Sequence, residues 1–267
     1  MKTDSSKAVP QLSPELKSKL IALANKYECA TFPDDDPCQF MHRSFSLVDK
    51  EVVAFIASSL AFGKRKQIIL HVDSILKEAN PSPTKWILNS GYKSFFPNDN
   101  KYFYRVFSNK NMINFFDKLK QILSSNKTLG TYFKNQYEQN KAIPLYKIIC
   151  AEFKGADCGN LIPQTENSAC KRVQLFLRWM VRGSKDCGTS IDLGLWTWYN
   201  KKDLLMPLDV HVLQEAVKFG LLPKTASGKI PAATIKMATL LTEEMKSIWP
   251  DDPLKGDFAL FGLGVDN

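Results

Sequence analysis

An all-α fold is what this 267-residue chain predicts, on three observations. Apolar residues recur at three- and four-residue steps, as in Leu16, Leu20, Leu23 and Ala24 or Ile235, Ala238, Leu241, Met245 and Ile248. Strand signals are scarce. Helix starts are spelled by Ser, Asp and Pro, and helix ends by Gly, Asn and Pro. Taken in order, residues 1–14 are polar and predicted to be flexible, and Pro14 opens the first helix. Residues 31–45, with two prolines and three aspartates, predict an irregular loop. Ser46 or Asp49 caps the run Val52, Val53, Phe55, Ile56 and Leu60, which Gly63 interrupts before the basic helix KRKQIILHVDSILKEA. Further helices are expected at 86–88, 102–107, 113–123, 129–137 and 144–153. A polar connection at 155–169 leads to a helix with Lys171 in its first turn and Ser168 as its N-cap. A longer connection at 183–207 precedes a helix capped by Asp209 and ending at Gly220. Another helix begins near Pro231, and residues 249–264 form a turn and a short last helix.

With 44% hydrophobic residues, the chain can bury a core large enough for one enzyme-sized body. A net charge of +9 favours an anionic partner, and nucleic acid leads, because Lys and Arg that neutralise phosphates release counterions. The six cysteines show no C-x-x-C pair and none of the spacing used for zinc or iron–sulfur ligation, so they read as reduced thiols with no metal. The longest near-apolar stretch, VVAFIASSLAF, is too short to cross a bilayer, and the N-terminus carries no apolar targeting core. These features predict a cytoplasmic protein, nucleoid-associated in a bacterium, with no membrane partner and no cofactor.

Two segments carry chemistry: CKRVQLFLRWMVR at 170–182 and MPLDVHVLQEAVKFG at 206–220. On the first helix Lys171, Arg178 and Arg182 fall within about 40° of one another, opposite Val173, Phe176, Leu177 and Met180. One face is therefore expected to be buried and the other cationic. The positive end of the helix macrodipole and the neighbouring Arg172 both oppose a positive charge at Lys171, the setting an amine nucleophile needs. Asp209 fits an N-cap, a role that also holds a carboxylate rigid and ionised, ready to steady a developing cation. Taken alone, each segment reads first as an ordinary surface helix or an ordinary cap.

Together the two segments resemble the helix-hairpin-helix DNA glycosylases, in which a lysine begins one helix and an essential aspartate caps another. The similarity extends to archaeal 8-oxoguanine glycosylases and to bacterial proteins of unknown function with stretches like DPCQF, LAFGKRKQ, FLRWMVR and DFALFGLG. The resemblance implies a two-lobed helical fold with the active-site cleft between the lobes. Lobe one would comprise about 15–80 plus 210–267, and lobe two about 81–209. The familiar glycine-containing hairpin is replaced by QTENSACK, so the hairpin is atypical.

It further implies a monomeric enzyme acting on double-stranded DNA that contains a damaged base, most naturally 8-oxoguanine. Lys171 would attack the sugar, Asp209 would assist, and a Schiff base would permit β-elimination at the abasic site. Gln39, Asp257 and Phe261 would hold the flipped base, the last two lying four apart on one helix face. Phe62 would fill the gap left in the stack, with Lys64, Arg65, Lys66, Arg178 and Arg182 on phosphates. Two alternatives stay open: a non-catalytic nucleic-acid-binding module, and a glycosylase for another damaged base.

Overall fold

The computed structural model describes residues 12–29, 32–43, 45–163, 166–183 and 191–265. Most of these residues are helical, as the periodicity predicts. Helix α1 (Pro14–Tyr27) is followed by two short 3-10 turns, Phe32–Asp35 and Pro37–His42. Then come α2 (Leu47–Ser59), α3 (Arg65–Glu78), α4 (Pro83–Leu88) and α5 (Tyr92–Phe95). Strands β1 (Tyr102–Tyr104) and β2 (Phe107–Ser108) precede α6 (Asn109–Ser125), α7 (Leu129–Gln139) and α8 (Leu145–Glu152). The last helices are α9 (Lys171–Val181), α10 (Val210–Lys218), α11 (Ile235–Lys246) and α12 (Lys255–Val265).

Helix α2 is the hub. Val52, Val53, Ala54, Phe55, Ile56 and Ala57 are each no more than 1% exposed, so the helix is covered on every side rather than along one stripe. It packs against α9, α3, α4, α7 and the Pro37–His42 turn. Phe55 meets the Phe176 ring of α9 at 4.8 Å and stacks on Phe115 of α6 at 5.7 Å. Two carboxylates fix its neighbours. Asp49 accepts from the Ser82 hydroxyl and the Thr84 amide, which ties α2 to the start of α4. Buried Glu51 accepts from the Gly130 amide at the start of α7 and from the Trp196 indole. At the periphery α1 lies along α12, and α10 also packs on α12, so both ends of the chain share one side of the molecule. No helix among the described residues is long and apolar enough to cross a membrane.

Four local expectations need correction. Residues 102–107, expected as a helix, form a β-ribbon, because Arg105 adopts φ +50° at its tip and an α-helix cannot continue through the left-handed region. The expected irregular loop at 31–45 contains the two 3-10 turns, the second capped by the Asp36 side chain on the Cys38 amide. The N-cap of α9 is Cys170 rather than Ser168, whose hydroxyl instead accepts from the Cys170 amide. Helix α11 starts at Ile235 under a Thr234 cap, beyond the expected Pro231, because Ser168 bridges Thr234 and Asn167 accepts from the Ile235 amide. Of the flexible segment expected at 1–14, residues 1–11 lie outside the described residues, and Ser13 caps α1.

Candidate active site

Lys171 is the first residue of α9, and Asp209 is the N-cap of α10. Asp209 Oδ1 accepts from the His211 and Val212 amides at 3.0 and 2.9 Å, while Oδ2 lies 3.9 Å from Lys171 Nζ. Lys171 also donates to the Ala61 carbonyl, just past α2, at 3.4 Å. Three separate segments thus converge on one amine.

Both groups line a cavity of about 960 Å³, within the range of small-molecule and cofactor sites. Its wall includes Phe62 and Gly63 from the turn after α2, Arg105 from the ribbon, and Asp257 and Phe261 from α12. The expected spacing on α12 therefore does bring Asp257 and Phe261 to one wall. Phe261 is half-buried, in a T-shaped contact with Phe32 at 5.1 Å and with the Arg65 guanidinium over its ring at 5.6 Å.

Helix α9 holds its end rigidly for a reason the helical wheel does not show. Its expected apolar face is buried, with Val173, Phe176, Leu177 and Met180 at most 2% exposed. Burying each such side chain stabilises the fold by about 1.5–3 kcal/mol. The expected cationic face is overturned beyond Lys171. Arg178 and Arg182 are buried among carboxylates, 3% and 4% exposed, with Arg178 also on the cavity wall. Arg178 pairs with Asp192 at 3.2 Å and with Asp257; Arg182 pairs with Asp192 at 2.6 Å, Asp252 at 2.8 Å and Glu28 at 2.7 Å. Burial opposes the charge on both guanidiniums, but Asp192 first and then Asp257 or Asp252 hold it in place. Asp192 comes from the long connection between α9 and α10. That segment also returns the Leu193 and Trp196 amides to the Trp179 and Met180 carbonyls, satisfying the end of α9.

Other expectations are met unevenly. Phe62 is 43% exposed at the rim, and Lys64, Arg65 and Lys66 are exposed beside it, the first two lining the cavity. Gln39 is not brought to the cavity; its amide donates to the Asp34 and Asp36 carbonyls and so braces the loop that carries Asp36 and Pro37 to the wall. Asp257 reaches the wall already paired with Arg178. Burial raises its carboxyl above the ordinary Asp range and Arg178 pulls it back, with smaller influences from Asp209 and Lys171. Two residues take a place at the rim that the sequence did not assign them. Arg105 lies over the Phe62 ring at 4.5 Å, and buried Arg172 faces the same ring at 5.8 Å while donating to the Ser59 and Asn160 carbonyls. Charge alone singles out neither. No cluster of metal-ligating side chains occurs among the described residues.

Residues 36–266 match the profile of a family described as a protein of unknown function, DUF2400. The chain belongs to the DUF2400 family. No curated protein matches it, and no solved structure does. The matched span of this DUF2400 chain takes in Lys171, Asp209 and every wall residue named above.

Proposed function

We propose that this protein is a DNA glycosylase with abasic-site lyase activity, acting on an oxidised purine, 8-oxoguanine, in double-stranded DNA. The observation that carries the reading is the 3.9 Å approach of Lys171 Nζ to Asp209 Oδ2 on the wall of a 960 Å³ cavity. The packing of α1 and α10 on α12 supports the part of this reading that puts the first and last helices in one lobe.

A duplex first gives up the damaged nucleotide to the cavity, at a cost of a few kcal/mol. Phe62, exposed at the rim, takes the vacated place in the stack, and Lys64, Arg65 and Lys66 meet flanking phosphates. Inside, Phe261 offers an aromatic face. Asp257 offers a carboxylate acceptor to the N7–H that 8-oxoguanine has and guanine lacks; Arg178 engages one of its oxygens, and a carboxylate has further acceptor sites. The Lys171 amine then attacks C1′, the C1′–N9 bond breaks, and the base leaves with its electron pair and takes up a proton. Asp209 Oδ2 receives the proton lost by the amine and steadies positive charge on the sugar. Ring opening gives a Schiff base, and loss of a C2′ proton expels the 3′ phosphate, which cuts the strand.

Borohydride trapping on an 8-oxoguanine duplex tests this. Wild type should give a covalent adduct and Lys171→Gln none. An adduct that survives Lys171→Gln removes the nucleophile, and the absence of both adduct and base release on any damaged duplex favours a non-catalytic binding module.

A further inference from the structure

The residue before the candidate nucleophile is a cysteine with a second thiol beside it. The Cys150 thiol on α8 donates to Cys170 Sγ at 3.9 Å, and the Cys170 thiol donates to the Ser168 carbonyl at 3.5 Å. Cys170 is the N-cap of α9, where backbone N–H groups favour the thiolate, and its backbone sits at φ +50°. It is 4% exposed and lines the cavity next to Lys171, the side from which an oxidant as small as hydrogen peroxide would approach.

We propose that Cys150 and Cys170 are a redox modification site, closed to a disulfide by hydrogen peroxide or a comparable hydroperoxide, and that closure displaces Lys171. The Cys170 thiolate attacks one peroxide oxygen, breaking the O–O bond, and becomes a sulfenic acid while water leaves. The Cys150 sulfur then attacks the Cys170 sulfur, and the hydroxyl departs as a second water. Two thiols and one peroxide give one disulfide and two waters. The division of roles follows the hydrogen bonds. As donor, Cys150 lowers the Cys170 thiol below its usual range, with burial opposing and Ser168 and Arg172 assisting. Bonding to Cys170, together with burial, pushes the Cys150 thiol well up. Cys170 is therefore the attacking sulfur and Cys150 the resolving one.

The geometric consequence reaches the cavity. A disulfide needs sulfurs about 2.05 Å apart, against 3.9 Å here. Cys170 and Cys150 must approach, and Lys171 is covalently next in line. A misplacement of about 1 Å at a reacting group costs roughly a hundredfold in rate.

The full-length protein, treated with hydrogen peroxide and digested without reductant, should yield a Cys150–Cys170 cross-linked peptide about 2 Da lighter than the sum of its reduced halves, reversed by dithiothreitol. Cys150→Ser should leave Cys170 as a sulfenic acid that dimedone captures. Cys170 oxidised without a partner in wild type, Cys170 paired with Cys158, or prior oxidation of Cys29 overturns the site. The link to Lys171 rests on the glycosylase reading: borohydride adduct should fall at least about tenfold on oxidation and return with reductant. An unchanged adduct in a fully cross-linked sample overturns the link. A reduced protein that forms no adduct at all sinks the glycosylase reading, while the peptide map still decides the site.

Discussion

Asp209 divides its two oxygens, with Oδ1 taking the His211 and Val212 amides and Oδ2 facing Lys171 Nζ at 3.9 Å. The cap and the proposed proton acceptor separate experimentally. Asn caps a helix about as well as Asp, so Asp209→Asn should leave thermal stability within about 0.5 kcal/mol of wild type. It cannot accept the amine proton, so trapping and base release should fall by about 10²–10⁴-fold. Asp209→Ala should lose the cap as well, at about 1 kcal/mol. Equal rates for wild type and Asp209→Asn, by single-turnover kinetics, would make Asp209 a cap and nothing more.

The buried guanidiniums predict where the fold is brittle. Asp192 bonds both Arg178 and Arg182 with its two oxygens, 3% exposed. Removing one partner of a buried pair leaves an uncompensated charge, a loss of about 3–5 kcal/mol. Asp192→Ala should show that loss in urea unfolding at unchanged m-value, whereas Lys64→Ala, at an exposed position, should stay within about 0.5 kcal/mol. A small effect of Asp192→Ala would mean that Asp252, Asp257 and Glu28 carry both arginines.

How far the sequence reaches is clear from these residues. The helices, the Asp209 cap and the shared wall of Asp257 and Phe261 were legible because each depends on spacing within one element. The fate of Arg178 and Arg182 was not. A helical wheel places three cations on one side of α9, but whether that side meets water or carboxylates is decided outside the helix, by Asp192 in the connection that follows and by Asp252 and Asp257, remote in sequence. The same holds for Arg105, whose importance arises from a left-handed turn that sets it over a ring 43 residues earlier. Gln39 was misplaced because its nearest acceptors are backbone carbonyls of its own loop.

A pH dependence follows from Asp257. Its carboxyl is raised by burial, with Arg178 opposing and Asp209 and Lys171 nearby, so it takes up a proton at a higher pH than an ordinary Asp near 3.9. The protonated form is a weaker acceptor for N7–H. Excision of 8-oxoguanine should therefore decline as pH falls toward that raised value, with activity retained above it. Asp257→Asn keeps an acceptor oxygen that does not titrate, so the acid limb of its profile should move to lower pH. A limb that stays in place would remove Asp257 as its source.

The rim offers a last test, because Phe62, in the turn after α2, is held by groups from outside that turn. Arg105 covers its ring at 4.5 Å, and the Tyr104 hydroxyl donates to the Phe62 carbonyl. The next residue, Gly63, has φ +110°, and an added Cβ there would lie 2.5 Å from the Arg105 guanidinium. The ribbon thus fixes the direction in which Phe62 points. If Phe62 replaces an extruded base, Phe62→Ala should slow excision from duplex DNA by roughly 10-fold or more, since stacking on an aromatic ring is worth about 1–3 kcal/mol per base. On single strands carrying the same lesion, where no stack must be refilled, the loss should be under about threefold. Arg105→Ala should reproduce the duplex-specific defect in part, as Phe62 loses its support while its ring remains. Equal losses on duplex and single strand would place Phe62 in the cavity wall rather than in the helix of the DNA.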